Sequence, residues 1–436
     1  MSSTSRSRKR GTKAPARPED GKHRLRGFFR HLGPGLITGA ADDDPSGVST
    51  YSTAGAQFGF ALLWTAPAVL PLMSAVQLMC ARVGMCSGRG LSGVLRAYYP
   101  RWVLWASVLL LLVANTVNIG ADLGAMAAVS SMLTGVPSLL LVPVFAAAIL
   151  ALLVFASYPV IARVFKWLTL VLFAYVASAF LARPDWGEVL RSTVLPRVAW
   201  DREYLLALVA ILGTTISPYL FFWQAAEEVE EEKAMGRTTL EQRRGASERA
   251  LRHARTDTVT GMTVSVVVFY FIVLTTGATL HARGITDIQT AEQAAQALRP
   301  LAGSAASLLF SLGIVGTGML GVPVLAGSAA LAVAEAEGWP AGMSERPTRA
   351  GRFYAVMALA LGAGMAMDYL GIEPIRMLFG AAVVNGLLAP PLIFVILLVC
   401  NDRRVMGEHT NGFWLNALGL LAGLLMAGAA VALLLL

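Results

Sequence analysis

Three consecutive carboxylates, Asp42, Asp43 and Asp44, stand before Pro45, Ser46 and Gly47 inside an otherwise apolar run, GPGLITGAADDDPSGVSTYSTAGAQF. At the centre of a membrane helix an aspartate costs about 2.5–3.5 kcal/mol, so a fully buried triplet would cost roughly 8–10 kcal/mol. Some of that charge must face water, a cation or both. Pro45 cannot continue the hydrogen-bond ladder and breaks the helix. A second interruption lies at Gly213, Thr214, Thr215, Ser217 and Pro218 in YLLALVAILGTTISPYLFFWQ. Backbone opened at membrane depth is tolerated only where it lines a cavity or is buried in protein. Two such breaks present free carbonyls and half-helix ends to a shared substrate, and the carboxylates select a cation. Asp122 and Asn385 are further polar groups in apolar runs. An intramembrane acid is functional by default, although pairing with an arginine or with Asn118 would serve a structural role equally well.

The elements that must position these groups are membrane helices. The 436 residues are 56% hydrophobic and only 14% charged, against about 25% charged in soluble domains. Apolar runs long enough to cross about 30 Å of hydrocarbon recur along the chain. They predict eleven spans: 33–57, 60–84, 103–132, 137–156, 158–182, 204–226, 258–281, 303–335, 350–370, 373–400 and 411–436. Residues 1–31 read as a basic cytosolic tail without the apolar core of a signal peptide. With the N-terminus inside, 28 of the 35 lysines and arginines fall on the cytosolic side, which predicts a plasma-membrane protein with an external C-terminus. The net charge of +8 is mostly this asymmetry, and no nucleic-acid motif accompanies it. The breaks in spans one and six are five spans apart. That spacing predicts an inverted repeat, residues 32–182 against 183–400, followed by an extra helix in 401–436. Three scattered cysteines and five histidines in the tail, loops or span ends argue against a disulfide framework and a histidine metal site. No nucleophile–base pair suggests an enzyme.

The stretch GPGLITGAADDDPSG followed by AGAQFGFALLW resembles the first span of the NRAMP metal-ion transporters, whose hallmark there is Asp-Pro-Gly-Asn. GTTISPYLFFWQ sits where that family carries Ala-x-x-Met-Pro-His. The resemblance implies an all-α fold of the LeuT type with helices 1 and 6 broken. It assigns Asp44 as the metal-binding aspartate, with the Ala41 and Thr214 carbonyls as main-chain ligands. The departures have a chemical direction. Gly47 replaces the family's asparagine, Ser217 its methionine and Tyr219 its histidine. Ala125 stands where a proton-transferring glutamate is found, and Ala382 where a glutamine lies near the metal. Losing a thioether and an amide leaves harder oxygen donors and more room, which suits magnesium and manganese. In these changes the chain resembles the divergent NRAMP-related magnesium transporters.

The expected function is therefore import of a divalent cation by alternating access, partly hydrated magnesium first and manganese second, without proton coupling. The alternatives are a proton-coupled manganese or iron importer and a LeuT-type symporter of organic amines. Asp44 is the expected ligand, with capping of the second half of span one as its alternative. Ser217 would hold a metal-bound water or cap the second half of span six, and Gly47 would make space. Asp43, Asp42, Asp122, Tyr219 and Asn385 would line the pathway. For Asp42 and Asp43 the alternative is a solvated external cluster, and for Asn385 a structural contact is favoured. The acidic run AAEEVEEEK, residues 225–233, is expected to be a solvated helix face, with an exit vestibule as the alternative. The partners are the cation and lipid, with no cofactor, and nothing specifies an oligomer.

Overall fold

The computed structural model describes residues 33–155, 170–343 and 345–435, without the side chains of Leu36 and Leu170. The expected basic tail and most of the first half of the fifth span lie outside the described residues. Among those described, nine helical stretches are long and apolar enough to cross a bilayer. The first span is the broken one. It forms α1 (Pro34–Asp42) and α2 (Pro45–Phe58), and Asp43 and Asp44 are unwound between them. The second span is α3 (Thr65–Ser87), followed by a short amphipathic α4 (Leu91–Tyr98) that was not foreseen. The third and fourth are α5 (Arg101–Thr134) and α6 (Ser138–Phe155), and the described end of the fifth is α7 (Ala174–Ala182). A surface helix, α8 (Trp186–Val194), precedes the second broken span, α9 (Arg202–Thr215) and α10 (Pro218–Ala234). The remaining spans are α11 (Glu248–Thr279), α12 (Ala306–Glu337), α13 (Gly351–Met367), α14 (Pro374–Asn401) and α15 (Phe413–Leu435).

The two breaks have the same construction. Each is a two-residue unwound segment followed by a proline at the first position of the next helix: Asp43-Asp44-Pro45 and Ile216-Ser217-Pro218. Proline is tolerated at that position because its missing N–H would have had no intrahelical partner. The fold positions these breaks by close backbone contact. α1 lies along α11 with Gly39 against the backbone of Gly261, where a Cβ would come within 2.4 Å of the carbonyl. At the far end of α1 the Asp257 carboxylate accepts from the Gly35 amide at 2.7 Å. α9 crosses α14 equally closely, with Gly213 against Ala382 and Gly386. Small residues let membrane helices approach in this way, since lipid supplies no hydrophobic drive.

The described residues from Pro34 onward pack as one compact unit. Its fully buried large side chains include Trp223, Tyr51, Tyr219 and Phe269. Tyr51 stacks on Phe269 with centroids 4.3 Å apart. α12 packs along α5, and α15 packs on α14 and α3. Arg82 of α3 ties down the loop before α15 through Asn411 Oδ1 and the His409 carbonyl.

Two expected boundaries shift. α11 begins ten residues before its predicted start because the Ser247 hydroxyl caps it, accepting from the Ala250 amide. α10 continues through the acidic run to Ala234. Glu227, Glu228 and Glu232 of that run are buried, which corrects the expectation of a solvated face. The cause is packing of α10 against α3, where Gly84 admits the Ala225 carbonyl and the Glu228 Cβ.

Candidate functional site

The two breaks meet in the core. Asp44 caps α2: its Oδ1 accepts from the Gly47 amide at 2.8 Å and the Ser46 hydroxyl at 2.7 Å. Its Oδ2 has one contact, the Tyr219 hydroxyl at 3.4 Å. The capping alternative is thus realised by one oxygen, and the other stays available to a ligand. The Tyr219 hydroxyl also donates to the Ala41 carbonyl at 3.0 Å, so α10 touches both ends of the first break. Ser46 Oγ lies 3.5 Å from Thr214 Oγ1, which brings the end of α9 to the start of α2.

The carbonyls expected to be free are engaged. The Ser217 hydroxyl reaches the Gly213 and Thr214 carbonyls, each at 2.8 Å. It makes no cap bond to α10, which corrects that alternative: the proline ring leaves the hydroxyl turned back onto the last turn of α9. A carbonyl oxygen holds two lone pairs, so Ala41 and Thr214 each keep one for a ligand. Gly47 contributes an amide to Asp44. A Cβ there would lie 3.3 Å from the Asp42 carbonyl and 3.4 Å from both Thr214 Oγ1 and the Tyr51 ring, so the two breaks close tightly on this position rather than leaving the expected space.

Asp42 and Asp43 are buried, at 0% and 4% exposure, and do not form a solvated cluster. The Ser265 hydroxyl of α11 reaches both, Asp42 Oδ2 at 2.6 Å and Asp43 Oδ1 at 3.2 Å. The reason is that α1 lies flat on α11. Among the described residues Asp42 Oδ1 finds no partner. Asp122 is fully buried; the Ser46 backbone N–H approaches its carboxylate without closing a regular hydrogen bond on either oxygen. It pairs with no arginine and not with Asn118, whose amide instead exchanges hydrogen bonds with Asn385 at 2.8 and 3.2 Å. Asn385 is thereby a helix-to-helix tie between α14 and α5. Asp122 and Asp44 share Gly321 of α12 as a neighbour: a Cβ there would stand 3.0 Å from Asp44 Cβ and 3.8 Å from Asp122 Oδ2.

Three participants went unnoticed in the sequence: Ser46, Ser265 and Gly321. Ser46 lies inside the motif and its position could have flagged it. Ser265 carries no local signal, because its partners are more than 220 residues away. Gly321 lies in GIVGTGMLGVPVLAGSAA, a stretch of small residues whose ordinary role is close helix packing.

A cavity of about 400 Å³ opens between α2, α5, α14 and the 289–292 segment, lined by Ser49, Ala125, Gln289, Glu292, Phe310 and Ile375. Ser49 and Ala125 stand three residues beyond Ser46 and Asp122, one helical turn from the site. Among the described residues no group of three or more His, Cys, Asp or Glu side chains is gathered to hold a metal ion. The arrangement therefore offers one available carboxylate oxygen, two half-used carbonyls and several hydroxyls. Such a set can hold a hard cation that keeps part of its water.

Comparison with known proteins follows the same lines. The profile of the Nramp family, natural resistance-associated macrophage protein-like, matches residues 35–436. A divalent metal cation transporter MntH of Pectobacterium carotovorum is 25% identical over 404 residues, covering 89% of this chain and 90% of its own. Another, from Deinococcus radiodurans, is 28% identical over 312 residues, covering 70% and 69%. Among solved structures, the Eremococcus coleocola manganese transporter in complex with an aromatic bis-isothiourea substituted compound superposes with a TM-score of 0.77 at 18% identity, covering 94% of this chain and 87% of its own. Mhp1, a nucleobase-cation-symport-1 family transporter in a closed conformation, superposes at 0.58 with 14% identity, covering 92% of each chain. These likenesses give the expected LeuT-type architecture.

Proposed function

The chain belongs to the Nramp family, and from that premise we propose that it carries divalent metal cations across the membrane by alternating access, holding magnesium first and manganese second as partly hydrated ions. The observation that carries this reading is Asp44. Its Oδ1 is fixed by Ser46 and Gly47, and its Oδ2 faces the gap between the two breaks with only the Tyr219 hydroxyl in reach. Around it stand oxygen donors: the Ala41 and Thr214 carbonyls and the hydroxyls of Ser46, Ser217 and Thr214. Magnesium dehydrates reluctantly and is bound through one or two carboxylates with several waters retained. The soft thioether that would favour manganese and iron is replaced by Ser217, whose hydroxyl is turned onto α9.

The cavity at Ser49 and Ala125 supplies the approach, and the lysine and arginine bias assigns it to the external face. Inward movement needs no proton. Two positive charges gain about 4.6 kcal/mol per 100 mV of negative-inside potential. A second reading, manganese import with accompanying protons, draws support from Asp122, a fully buried acid beside Asp44 with no ion pair among the described residues. It draws support also from the manganese transporter that shares the fold. A pH-sensitive dye inside proteoliposomes separates the two. The proposed mode gives manganese uptake with no internal acidification at matched potential. Acidification that follows manganese uptake and disappears in Asp122→Asn establishes the second reading.

A further inference from the structure

α3, α10 and α12 end together beside α4, and a cavity of about 490 Å³ opens between their ends and the segment after α12. Five cations border it, Arg89, Arg96, Lys233, Arg243 and Arg349, against three carboxylates, Glu230, Glu335 and Glu345. The carboxylates are committed elsewhere. Glu230 pairs with Lys233 at 2.6 Å and Glu345 with Arg349 at 3.7 Å. Glu335 reaches across from α12 and accepts from the Gly90 and Gly93 amides, each at 3.0 Å. Arg89, Arg96 and Arg243 are thereby left without an ion pair among the described residues. Arg243 donates to the Thr238 carbonyl at 2.7 Å and to the Gly88 carbonyl at 3.4 Å, which orders its guanidinium without neutralising it. The Arg96 guanidinium lies against Gly338, where a missing Cβ makes room for it. The hydrogen bonds of Arg89 outside its helix run through its backbone, to and from the Ser87 hydroxyl, and its side chain stays unengaged among the described residues.

Like charges around one cavity repel, and an anion between them relieves the repulsion. Guanidinium matches phosphate in particular, because its planar fork grips two oxygens at once. The volume lies within the range of small-molecule pockets, roughly 300–1,000 Å³. Basic pockets between membrane helices on the cytoplasmic side take phosphate headgroups, and the lysine and arginine bias assigns this face to that side. We propose that Arg89, Arg96 and Arg243 form an anion site for a phosphate group, carried by an anionic lipid headgroup or by a free phosphate compound. A phosphate held there faces α4 and the ends of α10 and α12 together, and so ties the second broken span to its neighbours at that end. The assignment does not depend on the transport reading, because it concerns an anion and residues other than those around Asp44.

The test compares the full-length purified protein with the Arg89→Gln/Arg96→Gln double variant and with Arg255→Gln, which removes one charge from an exposed position on α11. Calorimetric titration with sodium pyrophosphate reads a free phosphate ligand. Native mass spectrometry from micelles of mixed phosphatidylglycerol and phosphatidylcholine reads a lipid headgroup. The wild type should bind pyrophosphate saturably, or retain phosphatidylglycerol over phosphatidylcholine, and whichever probe binds identifies the source. That probe should bind at least about tenfold less to the double variant, the worth of a hydrogen bond between charged groups, and equally to Arg255→Gln. Binding of neither probe to the wild type overturns the site. So does binding that the double variant leaves unchanged, or that Arg255→Gln weakens as much. If the double variant does not elute as a monodisperse protein, Arg89→Gln takes its place with the same loss expected, and unchanged binding in it refutes the proposal.

Discussion

Substituting Gly213 by alanine tests whether the close crossing of α9 and α14 positions the second break. A Cβ at residue 213 would fall 2.1 Å from the Ala382 carbonyl oxygen, 2.3 Å from the Gly386 nitrogen and 2.7 Å from Gly386 Cα. All three are backbone atoms, so no side-chain rotation relieves the clash. Carbon and oxygen need roughly 3.2–3.5 Å, and the two helices must therefore separate by about 1 Å. Forcing extra atoms into a packed interior costs typically about 1–3 kcal/mol, and the rigid neighbours place this case at the upper end. The separation falls one residue from Thr214, whose hydroxyl lies 3.5 Å from Ser46. A movement of about 1 Å there opens the second break away from Asp44. The matched control is Gly380→Ala on α14, where a Cβ meets nothing within 4 Å. That change should be neutral or stabilising by up to about 1 kcal/mol, through helix propensity. Thermal melting of both variants in detergent, followed by size-exclusion retention, reads the stability. Manganese titration reads the site. Gly213→Ala should melt below the wild type and bind metal at least tenfold more weakly, while Gly380→Ala matches it in both. A Gly213→Ala protein that melts and binds like the wild type would refute the claim that this crossing holds the site.

Ser265→Ala removes the hydroxyl shared by Asp42 and Asp43. A hydrogen bond to a charged group contributes about 1.5–3 kcal/mol, so amide exchange across α1 should quicken by about ten- to a hundredfold in hydrogen–deuterium exchange, and Ser265→Thr should restore it. Asn385→Ala leaves the Asn118 side-chain oxygen without its donor, while the Asn118 NH2 keeps the Ala114 carbonyl. It should cost about 1–3 kcal/mol, and the Asn118→Ala/Asn385→Ala double variant should cost less than the sum in a melting cycle. Outside the membrane, hydrogen bonds from Arg404 hold the Asp402 carboxyl below its usual 3.8. A depressed value in the folded state stabilises above the unfolded value and is lost as pH falls through the folded one. Asp402→Asn should therefore melt slightly below the wild type at pH 6, by less than about 1 kcal/mol for a solvent-screened pair. The gap should close below pH 3.8.

The breaks were legible because proline acts locally. Pro45 and Pro218 each announce a helix start, and the polar residues before them mark where backbone is left open. Asp44 was legible for the same reason, within a motif of a few residues. What could not be read is what crosses between distant segments. Ser265 and Asp257 reach α1 from more than 220 residues away, and nothing in their immediate surroundings distinguishes them from other small or acidic helix residues. The acidic run misled because charge density alone suggests solvent. Its burial follows from Gly84 admitting α10 against α3, a fact of packing. The Ser217 hydroxyl was assigned a direction by analogy with ordinary caps, and the geometry of the turn before Pro218 sends it the other way.

The central claim is that a hard divalent cation crosses at Asp44. Proteoliposomes with a magnesium-sensitive dye inside and an imposed negative-inside potential test it most directly. The account predicts magnesium influx that rises with the potential and is abolished in Asp44→Ala, a variant that keeps the wild-type elution profile. Influx that persists in Asp44→Ala, or a wild type that admits manganese and never magnesium, would contradict it.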